Sequence, residues 1–160
     1  MNLRTGLGID FHSFGTGPEF WLGGVLIPFS KGCIAHSDGD CLLHAICDAM
    51  LGAAALGDIG HHFPDNSPEF KNISSRVLLT RTNELIREKG YCLVNIDSTV
   101  CLEEPRISPY IPRMKSVISA ILSLDSGSIS IKATTTEKMG FTGRGEGVAA
   151  LASVLLKSLA

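Results

Sequence analysis

The sequence predicts an α+β fold, with one mixed four-stranded sheet and helices packed on one face of that sheet. Three observations support this fold class. Some segments alternate between apolar and polar residues, as strands do; others repeat apolar residues every three or four positions, as helices do; and the helices lie between the strands along the chain. A chain of 160 residues without a linker or an internal repeat fits a single domain, residues 1–160.

The first predicted strand runs from Leu3 to His12, where apolar residues occupy nearly every second position. We expect the apolar face of this strand to lie against the core, which leaves Asp10 and His12 together on the opposite face. A small β-hairpin is predicted near residues 20–27, after a stretch rich in glycine and proline.

Three helices are predicted further along the chain. The first runs from about Gly39 to Ala55, and Ser37 with Asp40 fits a capping-box-like start for it. Residues 58–71 are expected to form a loop with a short helical turn. The second helix follows Ser74 or Ser75 and ends at Gly90, and the third begins at Pro112, where proline suits the first helical turn.

The remaining strands lie in the second half of the chain. Tyr91 to Glu103 is a predicted strand with Cys92, Val94 and Ile96 on one face, and Ser128 to Thr134 is another. The last segment, residues 145–159, alternates like a strand but is rich in helix-forming alanine and leucine. We favour a strand there, because the predicted sheet otherwise leaves an edge uncovered.

Composition excludes several classes of protein. The net charge of −2 argues against a general nucleic-acid binder, which needs a basic surface. The five cysteines form no C-x-x-C pair, so a disulfide framework is not expected. The most apolar stretch, residues 42–56, is too short to span a bilayer, and no signal peptide opens the chain. We therefore expect a cytoplasmic protein with reduced thiols and no membrane partner.

A metal site is the first candidate for chemistry. Asp10 and His12 are two positions apart on a strand, so a carboxylate and an imidazole lie side by side, as zinc ligands do. His44 shares one helical face with Asp40 and Asp48 at four-residue spacing. Two interpretations remain open: His44 is a third ligand oriented by a neighbouring carboxylate, or the three residues form a solvated polar stripe with Asp48 bonded to His44.

The distribution of charge favours a bound cation. Residues 32–70 contain no lysine or arginine, but they hold six carboxylates and four of the five histidines. Such a cluster would repel a phosphorylated substrate unless a metal ion reversed the local field.

A second cluster of candidates follows the strand that ends at Thr134. Residues 132–138 supply hydroxyls and lysines, and residues 140–147 are rich in glycine and include Arg144, which together suit phosphate oxygens. Glu137 would suit Mg²⁺ beside those phosphates. The alternative is an ordinary β-branched strand end followed by a glycine turn. His36 and Arg106 are further candidates for contacts with phosphate.

Several stretches, in this order, closely resemble the 2-C-methyl-D-erythritol 2,4-cyclodiphosphate synthase family of the non-mevalonate isoprenoid pathway. The resemblance covers nearly the whole chain. The matching stretches are G-I-D-F-H (8–12), A-H-S-D-G-D (35–40), L-G-A-A-A-L-G-D-I-G (51–60), F-P-D (63–65) and the run from Lys132 to Gly147.

The resemblance implies an intramolecular cyclisation that releases CMP, performed by a homotrimer with sites between subunits. It assigns Asp10, His12 and His44 to Zn²⁺ or another divalent ion, and Glu137 to Mg²⁺ or Mn²⁺ at the diphosphate. His36 and Thr135 match the pair that steadies the transition state. The implied substrate-binding residues are Ser37, Asp58, Ile59, Gly60, Phe63, Pro64, Asp65, Leu102, Pro105, Arg106, Ile107, Ser108, Thr134, Thr136, Phe141 and Arg144.

Two other functions fit the same residues. One is a zinc-dependent phosphohydrolase that uses a metal-bound water, and the other is a non-catalytic trimer that binds isoprenoid diphosphates. The stretch Glu103-Glu104-Pro105-Arg106 is more acidic than is typical of the family, which leaves the contacts to cytidine open. The pair His61-His62 has no assigned role.

Overall fold

The computed structural model describes residues 2–159 and has an α+β fold. The strands are β1 (Leu3–Gly15), β2 (Phe20–Leu22), β3 (Val25–Ile27), β4 (Gly32–Cys33), β5 (Tyr91–Cys101), β6 (Ile129–Thr134) and β7 (Gly147–Ser158). The helices are α1 (Cys41–Ala53), α2 (Ile59–His62), α3 (Ser75–Glu88), α4 (Ile111–Leu122) and α5 (Gly140–Gly143), with short 3₁₀ turns at Pro68–Phe70, Ser108–Tyr110 and Ser126–Ser128.

The main sheet has five strands in the order β4-β1-β7-β5-β6 rather than the four predicted. It is mixed, as expected, because β5 and β6 are parallel and the other pairs are antiparallel. The additional strand, β4, has two residues and pairs with the end of β1, so it is too short to leave a periodic pattern in the sequence. β2 and β3 form the predicted hairpin as a separate sheet.

The last segment is a strand, as predicted, and β7 lies at the centre of the sheet. It pairs with β1 on one side and with β5 on the other, so both of its edges are hydrogen-bonded. Val148, Ala150 and Val154 point to the buried face, and the small alanines leave room for α1 to lie against the strand.

The prediction that the apolar face of β1 lies on the core was wrong. Its large side chains are exposed, with 52% of Leu3, 67% of Leu7, 42% of Ile9 and 59% of Phe11 accessible. The opposite face packs on α1 instead, because glycine lets the two backbones approach closely. A Cβ atom on Gly6 would lie 1.9 Å from the Ala49 carbonyl oxygen, and one on Gly8 would lie 2.0 Å from that of Ala45.

The predicted face of β5 was also wrong near its start. Leu93 is opposite Leu156, but Asn95 is opposite Leu155, so Val94 is an extra residue in a β-bulge. The bulge reverses the alternation, which places Leu93 rather than Val94 on the same face as Ile96.

The longer helices α1, α3 and α4 lie on one face of the sheet. α1 packs between the sheet and α3, which explains why it is apolar on nearly every side. Asp40 caps α1, Ser74 caps α3, and Pro112 lies in the first turn of α4, close to the predicted boundaries. Within residues 2–159, no helix has both the length and the apolar character needed to cross a membrane.

The five cysteines carry free thiols, and Cys33, Cys41 and Cys47 are buried. Burial, followed by the charge of Asp40, raises the pKa of Cys33 to about 12. The raised pKa favours the protonated thiol at neutral pH, which is a poor nucleophile.

Candidate metal centre and adjoining cavities

Three candidate ligands from β1 and α1 meet at one point. Asp10 Oδ2 lies 3.6 Å from His12 Nε2 and 3.5 Å from His44 Nδ1, and one ligand atom from each residue lies within 4.8 Å of the others. This convergence follows from the local sequence. Gly6 and Gly8 let α1 lie directly on β1, so the helix places His44 beside the polar end of the same strand face.

The donor atoms of this group fit a divalent cation. Within residues 2–159, Asp10 Oδ2 and His12 Nε2 are buried without a hydrogen-bond partner, which is costly unless another group satisfies them. His12 Nδ1 donates a hydrogen bond to the Phe11 carbonyl oxygen at 2.7 Å, so the lone pair of Nε2 faces the group. One carboxylate and two imidazoles suit Zn²⁺, although other divalent ions accept the same ligands.

The environment of His44 differs from both interpretations of the sequence. Its Nε2 atom lies 2.9 Å from Ser75 Oγ and 3.3 Å from Ser37 Oγ, so a hydroxyl rather than a carboxylate orients the ring directly. Burial lowers the pKa of His44, but hydrogen bonding to Asp10 and nearby carboxylate charges outweigh burial and leave the pKa raised. A cation in the group would therefore compete with a proton for Nδ1.

The two carboxylates that share the helical face with His44 have other partners. Asp40 accepts hydrogen bonds from the backbone N–H of Leu43, Gly23 and Gly24. Asp48 accepts one from the Ile59 N–H at 2.7 Å, which joins α1 to α2. Asp40 and Asp48 thus hold backbone groups in place and do not form a solvated stripe with His44.

A cavity of about 380 Å³ opens beside the three candidate ligands. Many predicted site residues line it: His12, His36, Ser37, His44, Ile59, Gly60, Phe63 and Asp65. Asp58 does not line it but caps α2 by accepting a hydrogen bond from the His61 N–H, and Pro64 is likewise outside the lining. His36 is held by the Ser67 carbonyl oxygen, 3.2 Å from its Nε2.

Sequence reasoning missed the apolar wall of this cavity. The wall consists of Phe70, Ile73 and Leu78, which come from the 3₁₀ turn, the following loop and α3. Their apolar character is visible in the sequence, but nothing there distinguishes a cavity wall from ordinary core.

A second cavity, of about 490 Å³, lies between the ends of β5 and β6. The family resemblance matches residues 102–108 and 134–136 to a cytidine-diphosphate pocket. The second cavity brings together most of the substrate-binding residues implied in those two stretches, namely Leu102, Pro105, Arg106, Ile107, Ser108 and Thr134, and it includes Thr135. The Arg106 Nε atom donates to Ser108 Oγ at 3.0 Å. Thr136 is not in the lining; its hydroxyl donates to the Met139 carbonyl oxygen at 2.6 Å.

Glu103, which the sequence marked only as unusual, also lines the second cavity and organises its rim. Its carboxylate accepts hydrogen bonds from the Lys138 N–H and Nζ, both at 3.0 Å. This contact holds the turn in which Glu137 and Lys138 adopt positive φ angles of 53° and 66°. Glu137 is exposed and, among the described residues, does not join the Asp10 group.

Phe141 and Arg144, the last two of the implied substrate-binding residues, line neither of these cavities and lie near the exposed face of β1. Phe141 packs edge-on against Phe11, with ring centroids 6.0 Å apart. Arg144 forms two hydrogen bonds to the Glu146 carboxylate, at 2.8 and 2.9 Å. This ion pair is exposed, so its contribution to stability is small.

This chain is similar over nearly its whole length to known proteins, both in sequence and in structure. The 2-C-methyl-D-erythritol 2,4-cyclodiphosphate synthase of Bacteroides fragilis is 54% identical over 156 residues, which cover 98% of this chain and 98% of that protein. The bifunctional IspDF of Campylobacter jejuni superposes with a TM-score of 0.95 and 47% identity, over 98% of this chain but 42% of that one. The CDP complex of IspF from Plasmodium falciparum superposes with a TM-score of 0.86 and 34% identity, over 98% of this chain and 97% of that one. Because the model of the YgbB family also matches residues 3–157, the chain belongs to the YgbB family.

Proposed function

We propose that this chain converts 4-diphosphocytidyl-2-C-methyl-D-erythritol 2-phosphate to 2-C-methyl-D-erythritol 2,4-cyclodiphosphate and CMP. The observation that carries the proposal is the convergence of Asp10, His12 and His44 beside a cavity, in a chain of this family. An oxygen of the 2-phosphate attacks the β-phosphorus, and the bond from that phosphorus to the bridging oxygen breaks. CMP leaves with that oxygen, so no water is consumed and the enzyme is a cyclising phosphorus–oxygen lyase.

Little covalent assistance is needed for such a transfer, so the protein contributes mainly position and charge. Asp10, His12 and His44 would hold Zn²⁺ or a similar ion, and Glu137 would help to hold Mg²⁺ or Mn²⁺ at the diphosphate. Bound there, these ions would neutralise phosphate oxygens as the two ends of the substrate approach each other.

The side chains around the first cavity account for the erythritol end of the substrate in this proposal. Ile59 and Gly60 line this cavity at the start of α2, where backbone groups can meet hydroxyls. Asp58 lies outside the lining but caps the same short helix, next to these two residues. His36 and Ser37 line the same cavity and can orient phosphate oxygens. The apolar wall formed by Phe70, Ile73 and Leu78 would limit the contact of bound substrate with water on that side.

The second cavity would take the cytidine end. It is lined by residues 105–108 on one side and by the end of β6 on the other, and Arg106 in this lining could bind a phosphate of the nucleotide. Thr135 lines this cavity and would steady the transferring phosphate, as the family resemblance implies. The CDP complex of the related IspF supports a cytidine nucleotide as ligand.

We also propose a homotrimer whose sites lie between subunits. Within the part of the chain that the structure describes, the linings of the first and second cavities have no residue in common. One substrate must nevertheless reach both. The exposed apolar face of β1 supports assembly, because a contiguous apolar surface commonly marks an interface. The proposal retains the cytoplasmic location expected from the sequence.

The proposal is tested by following CMP release and the phosphorus products with ³¹P NMR. We expect the wild-type protein with Zn²⁺ and Mg²⁺ to form CMP and a cyclic diphosphate, and we expect His44→Ala to lose at least 100-fold in rate. His61→Ala is the matched control, because His61 does not line the first cavity and should retain activity.

The products also separate the alternatives. Inorganic phosphate in place of the cyclic product would indicate a metal-dependent phosphohydrolase. Tight binding of isoprenoid diphosphates without any release of CMP would indicate a binding protein. Undiminished cyclisation by His44→Ala would contradict the proposed metal centre.

A further inference from the structure

The two ring nitrogens of His44 face different groups. Nδ1 points to Asp10, 3.5 Å away, and Nε2 lies 2.9 Å from Ser75 Oγ. A neutral imidazole carries one proton, so only one of its nitrogens has a free lone pair. A metal ion beside Asp10 requires that lone pair on Nδ1, and the proton must then be on Nε2.

Ser75 is wholly buried at the first position of α3, and both of its polar groups reach the Asp38 carboxylate. The Ser75 N–H donates to Asp38 Oδ2 at 2.8 Å, and the Ser75 hydroxyl forms a short hydrogen bond to Asp38 Oδ1. An ionised carboxylate accepts hydrogen bonds but cannot donate them. The single hydroxyl proton of Ser75 therefore goes to Asp38.

The direction of the remaining bond follows from this arrangement. Once its proton is engaged with Asp38, Ser75 Oγ can offer only a lone pair to His44. In the neutral ring Nε2 of His44 is then the donor, which leaves the Nδ1 lone pair directed at Asp10 and at a cation bound there. Only the protonated ring donates from both nitrogens, to Ser75 and to Asp10. Ser37 Oγ is a weaker competitor for Nε2, because it lies 3.3 Å away and is only half-buried.

We propose that Ser75 and Asp38 are positioning residues that fix the Nε2–H tautomer of His44 and so keep Nδ1 available to a metal ion. The inference rests on the metal centre of the proposed function. It assigns a role to Ser75, 31 positions from His44, and to Asp38, 6 positions from it. The spacing of the candidate ligands in the sequence does not reveal either residue. Through Asp38, the inference also links the metal centre to residues 36–40. This segment is held in turn by the Asp38 N–H, which donates to the Ile73 carbonyl oxygen.

Two substitutions perturb this chain of hydrogen bonds differently. Ser75→Ala removes the acceptor of the Nε2 proton. Asp38→Asn is nearly isosteric; its carbonyl oxygen can still accept from the Ser75 N–H, and its NH₂ then faces Ser75 Oγ. The hydroxyl proton is thereby redirected to His44 Nε2, which favours the wrong tautomer.

The first measurement is Zn²⁺ affinity, by competition of the purified proteins with a chromophoric chelator. We expect Ser75→Ala and Asp38→Asn to bind Zn²⁺ about 10- to 100-fold more weakly than wild type, as is usual when the partner of a ligating histidine is lost. Thr82→Ala is the matched control: it removes another fully buried hydroxyl of α3, about 10 Å further along the helix, and should bind Zn²⁺ like wild type.

The second measurement reads the tautomer directly in the metal-free protein labelled with ¹⁵N-histidine. At a pH where His44 is neutral, two-bond ¹H–¹⁵N correlations should show the proton on Nε2 in wild type and a shift toward Nδ1 in Asp38→Asn.

A wild-type proton on Nδ1, or variants that keep both the wild-type tautomer and the wild-type affinity, would overturn the proposal. A greater loss of affinity in Ser37→Ala than in Ser75→Ala would also overturn it. If the wild-type protein binds no Zn²⁺ at all, the proposed metal centre fails, whereas the NMR measurement still decides whether Ser75 and Asp38 set the tautomer.

Discussion

Asp40 joins the β-hairpin to the start of α1 through a fully buried carboxylate. Its Oδ1 accepts hydrogen bonds from the N–H groups of Gly23 (2.9 Å) and Leu43 (3.0 Å), and its Oδ2 accepts one from Gly24 (2.6 Å). Burial raises the pKa of this carboxyl to about 6, against the opposing effect of the three donors. Because His44 is one helical turn away, Asp40 anchors the end of α1 that supplies the candidate ligand.

Removal of this carboxylate should be costly. We expect Asp40→Ala to lower the free energy of unfolding by about 3 kcal/mol or more, because three buried N–H groups lose their acceptor. Ser74→Ala is the matched control, since it removes the cap of α3, which makes one exposed hydrogen bond of 3.4 Å; its cost should be about 1 kcal/mol or less. Urea unfolding at a fixed protein concentration compares the two, and equal costs would contradict the role given to Asp40.

At the scale of residues, the sequence predicts the candidate metal ligands better than it predicts the residues that hydrogen-bond to them. Asp10 and His12 could be paired because strand geometry fixes neighbours two positions apart. Ser75 could not be connected to His44, because that contact depends on how α3 lies against α1. Glu103 was noticed only as a departure in composition, and its contact with Lys138 joins two separate loops.

The position of α1 on β1 determines the geometry of the candidate metal centre. The helix lies so close to the strand that a Cβ atom on Gly8 would come within 2.0 Å of the Ala45 carbonyl oxygen. Ala45 is the residue next to His44, so any displacement of the helix here moves His44 relative to Asp10. The glycines of β1 therefore serve the site as well as the fold.

Gly8→Ala should test this dependence. The added methyl group forces α1 away from the sheet, so we expect a loss of about 2 kcal/mol in stability and weaker binding of Zn²⁺. Gly52→Ala is the control within α1, because its Cβ would meet nothing within 4 Å and alanine favours helix by up to about 1 kcal/mol. Chemical unfolding and chelator competition on both variants measure the effects. A Gly8→Ala protein as stable and as avid for Zn²⁺ as Gly52→Ala would show that this close approach is unimportant.

At the scale of elements, periodicity predicted most strands and helices but assigned two faces incorrectly, that of β1 and that at the start of β5. The alternation in β1 correctly separated its two faces. It could not show that the glycine face would receive α1, because apolar residues are expected to be buried within the same chain. The β-bulge at Val94 similarly depends on pairing with β7, which a single segment does not encode.

At the scale of the whole molecule, the proposed homotrimer would account for both the exposed apolar face and the two separate cavities. Leu7, Ile9 and Phe11 lie on the side of the sheet opposite α1. Leu151 of β7 pairs with Ile9 on this side. In a homotrimer this face would be buried between subunits. The same assembly could place the second cavity of one subunit beside the metal centre of its neighbour, so that assembly and activity depend on each other.

A charge on this face should separate the subunits. We expect Leu7→Glu to shift the protein from trimer to monomer in sedimentation velocity and to abolish CMP release, because burial of several carboxylates at an interface is unfavourable. The side chain of Leu7 is 67% exposed in the single chain, so the monomer should retain its fold by circular dichroism. Leu26→Glu is the matched control, because Leu26 is 43% exposed but lies on the hairpin strand β3, and this variant should remain trimeric and active. A Leu7→Glu protein that stays trimeric would exclude this face as the interface, and a fully active monomer would show that each subunit holds a complete site.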